Sequence, residues 1–342
     1  EVLKDIMKKY KAIKLNDMPP FTGGAVGYLS YDMVRFFEKL PSKNKDELNI
    51  NDIFLLITDT IVIFDHIKHT IKVVSNVYID RNIKKCYEEG VRKIHRIVTK
   101  LKKPVKDTIL IQKSDKKRSI GELKSNFTKS EFKNIVTKAK QYIRAGDIIQ
   151  MVPSQRLSAE IENIDAFDIY RALRVVNPSP YMYYLKLGNL KIIGASPELF
   201  VKVEEDIATS RPIAGTRKRG KDAAEDEQLI NDLLNDPKER AEHIMLVDLA
   251  RNDLGRVCKY GTVKVNEIMT IEKYSHVMHI VSNVYGKLLQ GKDSFDVIRA
   301  CFPAGTVSGA PKIRAMEIID ELEKVKRGTY AGLIGYFGFT GN

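Results

Sequence analysis

Ser210-Arg211-Pro212-Ile213-Ala214-Gly215-Thr216-Arg217 is the stretch that decides the fold. It has the pattern of a β-strand end running into a tight glycine turn. Upstream, Leu199 to Val203 alternates apolar and charged residues, as a half-buried strand does. Glu205-Asp206 is a polar turn, and Ile207 to Pro212 is the returning strand. Pro212 cannot donate to a sheet ladder, so the strand end there is an edge or a bulge. Gly215 lets the backbone approach a ligand closely. Thr216 adds a hydroxyl beside backbone N–H groups that can face an anion. On spacing alone, a surface hairpin with basic decoration fits the same residues.

Outward from this hairpin, the pattern is of mixed hairpins and helices. On the N-terminal side, Tyr181 to Leu187 and Leu190 to Ala195 form a hairpin over Gly188-Asn189. Ala166 to Val176 is a helix ended by Asn177-Pro178-Ser179-Pro180, and Asp147 to Leu157 is a strand. Thr128-Lys129-Ser130-Glu131 is a capping box with Phe127 and Phe132 as a hydrophobic staple. Its helix buries Phe132, Ile135, Val136, Ala139 and Ile143 and stops at Gly146. Further back, Lys102 to Asn126 is a charged linker, Arg81 to Leu101 is a helix, and Ile53 to Phe64 pairs with Thr70 to Ile79 as a hairpin. Phe21 to Leu29 is a glycine-rich strand, and Val2 to Tyr10 is a short amphipathic helix.

On the C-terminal side, a helix covers Ala223 to Leu234. Asp236 caps a helix from Pro237 to about Asn252, with Pro at its first position. His276 to Leu288 is a long alternating strand and Ser294 to Cys301 a short helix. Ala304 to Gly309 is a small-residue loop entering a helix from Ala310 to about Val325. Thr329 to Thr340 is a glycine-rich strand that echoes the one near Gly24. These elements predict an α+β fold with antiparallel sheets and helices packed outside. The domains expected are 1–118, ending in the charged linker, and 119–342.

The 342 residues are ample for a large core. Apolar content is 43% and charged content 30%, which suits a globular, soluble chain. No run of about 18 apolar residues predicts a membrane span, and Glu1-Val2-Leu3-Lys4 has no signal-peptide core. Cys86, Cys258 and Cys301 fit no zinc or disulfide spacing and suggest a reducing cytosol, hence a cytoplasmic protein. The net charge of +13 fits nucleic acid, a membrane surface, acidic substrates or a lysine-rich surface. The basic residues are dispersed, apart from a concentration between Lys100 and Arg118, and no RNP motif or zinc finger accompanies them. The charge is therefore mostly solvated surface, with a modest benefit for attracting anions. A nucleic-acid-binding protein is the reading from another class.

Several side chains have chemical potential. Glu242 shares a helix face with Met245, Leu246 and Leu249, so a carboxylate lies along an apolar stripe. Buried and unpaired, it needs a cation or a proton; at the stripe's edge it reaches water. Asp248 and Arg251 are spaced to pair. Glu198 follows Ser196-Pro197 at a strand end. His276 and His279 alternate on a strand and face opposite sides, which argues against a shared metal. The Gly305 to Lys312 loop leads to a helix N-terminus that favours an anion, without a nucleotide-binding pattern.

The octapeptide Ser210 to Arg217 resembles the "RPIAGTR" signature of the chorismate-utilising enzymes, in the form with Ala that is similar to anthranilate synthase component I. The sister enzyme making 4-amino-4-deoxychorismate has Lys at the place of Ala214. Ala241 to Asp253 is similar to the family's "EHxMLVDLARND" signature, Gly194 to Glu198 to "GASPE", Tyr274 to Ser282 to "HxMHLVS", Pro303 to Lys312 to "PAGTxSGAPK", and Arg327 to Gly332 to "RGxYxG". The resemblance runs from the Phe21 segment to Tyr336. It implies two sheets sandwiched between helical layers.

For individual residues, the resemblance implies a Mg²⁺ ligand at Glu242, a general acid for the departing ring hydroxyl at Glu198, and a role for His279 in elimination. Gln150 stands where water-adding relatives carry a base Lys, which argues against isochorismate or salicylate synthase. Ala214, Gly215, Thr216, Thr306 and Tyr330 fall at substrate-binding positions. Asn177, Pro178, Ser179, Pro180, Tyr181 and Met182 match part of a tryptophan-feedback pocket. The implied activity is magnesium-dependent amination of chorismate followed by pyruvate elimination to anthranilate, the first step of tryptophan biosynthesis. No Cys-His amidotransferase pattern is present, so the ammonia is expected from a separate glutamine amidotransferase subunit. The alternative is 4-amino-4-deoxychorismate synthase component I. The family's "LLES"-type segment, its pyruvyl-binding Arg and its second metal-ligand Glu are expected outside these residues. The expected result is a loosely held metal and an open edge on the last strand.

Overall fold

The computed structural model describes residues 2–15, 17–104 and 119–342. The middle of the expected charged linker, 105–118, lies outside the described residues. The chain forms two units: Glu1–Tyr28 with Phe54–Asp115 and Ile334–Asn342, and Leu29–Ile53 with Lys116–Leu333.

In the first unit, a three-stranded sheet has the order Leu333–Gly338, Gly24–Leu29, Ile53–Thr58. The two glycine-rich strands are thus neighbours. A Cβ on Gly24, whose φ is +151°, would collide with the Phe337 carbonyl; only glycine lets the strands approach there. The expected strand Ile53 to Phe64 is broken at Asp59. The Asp59 carbonyl accepts hydrogen bonds from the Asn76 backbone N–H (2.7 Å) and Asn76 Nδ2 (3.2 Å). Those bonds turn the chain out of the first sheet and into a separate hairpin, Thr60–Asp65 with Thr70–Ser75. The Ile83–Leu101 helix packs on the Thr70–Ser75 strand.

In the second unit, Val277–Lys287 is the axis of a five-stranded antiparallel sheet. Ile207–Ser210 and then Ile213–Lys218 pair along one side of it, and Lys264–Lys273 pairs along the other. Lys202–Glu204 extends the sheet by pairing with Ile207–Ser210. Pro212 sits at the joint between the two strands on that side, where a missing N–H costs no ladder bond. The Pro237–Gly255 helix packs on Ile213–Lys218 and Val277–Lys287. Its core includes Val247, Ala250, Leu254, Val284 and Val297.

The Lys129–Ala145 helix carries both halves of the capping box and ends at Gly146 with φ +83°. Phe127 and Phe132 stack edge to face at 6.3 Å. Ile143, expected inside, is exposed, and Tyr142 packs on the Ile318–Ile319 cluster instead. The expected strand Asp147 to Leu157 is reduced to Gln150–Met151 and Leu157–Ser158, since Pro153 interrupts the ladder. The helix expected from Ala310 spans Lys312–Leu322. Its preceding loop forms a 3-10 turn, Gly305–Val307, and a two-residue strand, Gly309–Ala310, paired with Gln150–Met151. Thr306 therefore stands in the 3-10 turn, not at the helix N-terminus. The described residues show an α+β fold with antiparallel sheets.

Candidate active site

Gly215 organises one side of the site. Ala214 pairs with Ile280 and Thr216 with His279, so Gly215 is an extra residue in a β-bulge, with φ +73°. A glycine in this left-handed conformation re-aims the side chain that follows. The Thr216 hydroxyl lies 3.0 Å from His279 Nδ1, and the Gly215 carbonyl lies 3.2 Å from the same nitrogen. A carbonyl can only accept, so Nδ1 carries a proton in this contact and Nε2 is the nitrogen left to face the site. Beyond the bulge, Arg217 binds Asp232 and Asp236 at 2.7 and 3.0 Å and fastens the strand to the two helices outside it. Ala214 is buried.

Glu198 is the most perturbed acid here. Burial pushes its carboxyl up to about 7, and the hydroxyl of Thr306, donating to Oε2 at 2.9 Å, pulls it down in part. A group with a pKa near neutrality holds a proton and can still give it up. A cavity of about 30 Å³ adjoins it, lined among others by Ser210, Leu246, Asp253 and Cys301; this is room for about one water.

Gln150 and Glu242 meet on a third side. Gln150 Nε2 donates to Glu242 Oε1 at 3.0 Å, and Gln150 Oε1 is buried without a partner. A carboxylate and an orphaned amide oxygen are hard donors. Among the described residues no three His, Cys, Asp or Glu side chains gather to hold a metal unaided. A cation at the Glu242 carboxylate must complete its shell with water or ligand oxygens, which is the habit of Mg²⁺. The donor set fits that ion.

The three sides join. Gly309–Ala310, just beyond Thr306, pairs with Gln150–Met151. A Cβ on Gly309 would collide with the Gln150 carbonyl. One helical turn from Glu242, the Glu239 carboxylate lies 3.3 Å from the place of a Gly215 Cβ. Glu198, Thr306, Gln150, Glu242, Gly215, Thr216 and His279 thus form one connected set.

The structure does not bring every expected residue into this set. Tyr330 is 50% exposed and touches it only through Arg327, whose guanidinium lies 5.6 Å from its ring centroid. Asn177 to Met182 lie apart: Asn177 ends the Ala166–Val176 helix, and Tyr181 and Met182 pair with Ser196 and Ala195, just before Glu198. Asp248 and Arg251 make the expected pair at 2.8 Å on the surface.

Sequence reasoning missed five residues that frame the site. Glu239 was readable from its i, i+3 spacing to Glu242. Arg327 and Glu323 pair at the local i, i+4 spacing, but their bonds to Val307, Val152 and Ser154, like that of Lys312 with Asp253 (2.6 Å), join distant segments and leave no local signal. Lys312 also donates to the Cys301 carbonyl, so the start of the Lys312–Leu322 helix is tied to both the Pro237–Gly255 and the Ser294–Cys301 helices.

The family model described as chorismate binding enzyme matches residues 2–342. The chain belongs to the chorismate-binding enzymes. Anthranilate synthase component 1 of Acetivibrio thermocellus is 51% identical over 100% of this chain and 69% of the relative. The same component of Aquifex aeolicus is 51% identical over 99% of this chain and 68% of that relative. The crystal structure of anthranilate synthase component I from Streptococcus pneumoniae superposes with a TM-score of 0.88 at 39% identity, covering 100% of this chain and 74% of that one. As a chorismate-binding enzyme, this chain shares the family's α+β fold. No described helix is long and apolar enough to cross a membrane.

Proposed function

We propose that this chorismate-binding enzyme is an anthranilate synthase large subunit. Ammonia adds to ring carbon 2 of chorismate, the ring double bond shifts, and the 4-hydroxyl departs with a proton from Glu198. A ring proton is then lost and the enolpyruvyl group leaves as pyruvate, which makes the ring aromatic. The observation that carries this reading is the buried Glu198 carboxyl, pushed up to about 7 and held by Thr306 in the same set as Gln150 and Glu242. Hydroxide is a poor leaving group, so a proton donor is required in the transition state. Gln150 cannot deprotonate water, and Ala214 offers no lysine amine; both favour ammonia as the nucleophile.

His279, its Nδ1 held by the Gly215 carbonyl, takes the ring proton at Nε2 in the elimination. Gly215, Thr216 and Thr306 bind the substrate's ring carboxylate, and Tyr330 meets the enolpyruvyl part. Glu242 would hold magnesium, which when bound supplies positive charge beside the ring carboxylate. We assign this chemistry to the 119–342 region. In the same reading, the ammonia comes from a separate glutaminase subunit, tryptophan acts through Asn177 to Met182, and the enzyme works in the cytoplasm.

The test follows anthranilate fluorescence from chorismate, ammonium and Mg²⁺. Anthranilate is the expected product, and Glu242→Gln removes its formation while the circular dichroism stays unchanged. 4-Amino-4-deoxychorismate or isochorismate as the end product overturns the reading. Normal magnesium dependence in Glu242→Gln overturns the metal assignment.

A further inference from the structure

Arg327 is buried, with its side chain only 2% exposed, and sits outside the proposed chemistry. Its guanidinium spends its donors on three segments. Nη1 donates to the Val307 carbonyl at 2.7 Å and Nη2 to the Val152 carbonyl at 2.8 Å. Nε and Nη2 form a two-pronged pair with Glu323 at 2.9 and 2.6 Å. Glu323 in turn accepts from the Ser154 backbone N–H at 2.8 Å and its hydroxyl at 3.0 Å. Below, the Tyr31 ring supports the guanidinium plane at 4.8 Å. The Tyr31 N–H donates to the Gly328 carbonyl, and the Gly328 N–H to Asp32.

The two carbonyls that Arg327 holds matter because of what precedes them. Val307 follows Thr306, the partner of Glu198. Val152 follows Gln150 and Met151, and Gln150 is the partner of Glu242. The Val152 N–H also donates to the Ser308 carbonyl at 3.0 Å. One rigid fork therefore sets the spacing between the turn that holds the acid's partner and the strand that holds the metal ligand's partner. A carbonyl pair bridged by a guanidinium fixes both distance and angle, which a single ammonium cannot do.

We propose that Arg327, clamped by Glu323, is a positioning residue that keeps Thr306 and Gln150 in register across the site. It touches no reacting atom and acts through those two side chains. The idea rests on the function proposed above. A burial-driven stability role alone would lower the amount of folded protein without changing turnover per folded molecule.

The test is a double-mutant cycle on the purified protein, read as chorismate consumption per folded molecule. Arg327→Lys keeps a charge opposite Glu323 but loses the fork. It is expected to lower kcat about 100-fold, the scale of a misplacement near 1 Å, with KM moved less than kcat. In a Thr306→Val, Gln150→Leu background the same Arg327→Lys change is expected to cost less than about threefold, because the side chains it positions are already gone. A thermal melt accompanies each variant, and Arg327→Gln serves as the second variant if Arg327→Lys folds poorly. Costs that multiply in full across the cycle, or an Arg327→Lys protein with normal kcat per folded molecule, overturn the positioning role alone. A wild-type protein that leaves chorismate untouched overturns the function and this role together.

Discussion

In the proposed reaction, Glu198 and His279 divide the work because their surroundings differ. Glu198 is desolvated, so its neutral form is favoured and its pKa rises to about 7. The folded pKa lies above the unfolded carboxylate value near 4.3. The stability attached to this group is therefore full below that value and is lost as pH rises through 7. Glu198→Gln removes a charge that folding must bury, and should raise Tm on the order of 2–4 °C at pH 8 with little change at pH 4. It should also block both the aminated intermediate and anthranilate, since the first step needs the acid. His279→Met leaves that acid in place and should accumulate the intermediate instead, measured by chromatography of quenched reactions. Equal loss of intermediate and product in both variants contradicts the division.

At the scale of elements, the bulge at Gly215 is the most exacting feature. A Cβ there would lie 3.1 Å from a Leu233 methyl, 3.2 Å from an Ile280 methyl and 3.3 Å from Glu239, on a backbone at φ +73°. Gly215→Ala should cost about 1–3 kcal/mol, measured by denaturant unfolding, and should lower kcat by turning Thr216 away from His279. An unchanged Cm contradicts this. The hairpin leading to Gly215 was legible because its alternation and polar turn are local. So were the Thr128 capping box and Pro237 at the first position of its helix. The Lys264–Lys273 strand was not legible. Its register slips around Glu267 to Thr270, with Met269 at φ +52°, and Ile268 is exposed while Glu267 is half-buried, so the apolar residues do not mark one face. The strand at Gln150–Met151 is shorter than the expected Asp147 to Leu157 because Pro153 interrupts the ladder. Glu198, Gln150, Glu242 and His279 were each legible from motif position. That they form one connected set was not, because the bonds joining them span large separations in sequence.

For the whole molecule, stability should depend on pH through His243. It is fully buried beneath the sheet, with Nε2 2.7 Å from Ser282 Oγ. That hydroxyl also accepts from the Met269 N–H at 2.9 Å. Burial pushes the imidazole down to about 4. The neutral ring is favoured, so its stability is full above about 6.5 and is lost as pH falls toward 4. The loss should reach about 2–3 kcal/mol between pH 7 and 4.5. Glu198 works in the opposite direction over that range, so denaturant curves must compare wild type with His243→Gln. The variant should show the smaller loss on acidification, and identical pH slopes contradict the assignment. The first unit has a further consequence, set by the pairing of its two glycine-rich strands. The strand Gly24–Leu29 leaves the ribosome before its neighbour Leu333–Gly338, which is synthesised about 300 residues later. At roughly 5–20 residues per second, that is a wait of about 15–60 s. During translation the nascent sheet has an unsatisfied edge, while every residue of the catalytic set is made within that interval. The catalytic region therefore has time to fold before the sheet whose strands flank it in the chain can close.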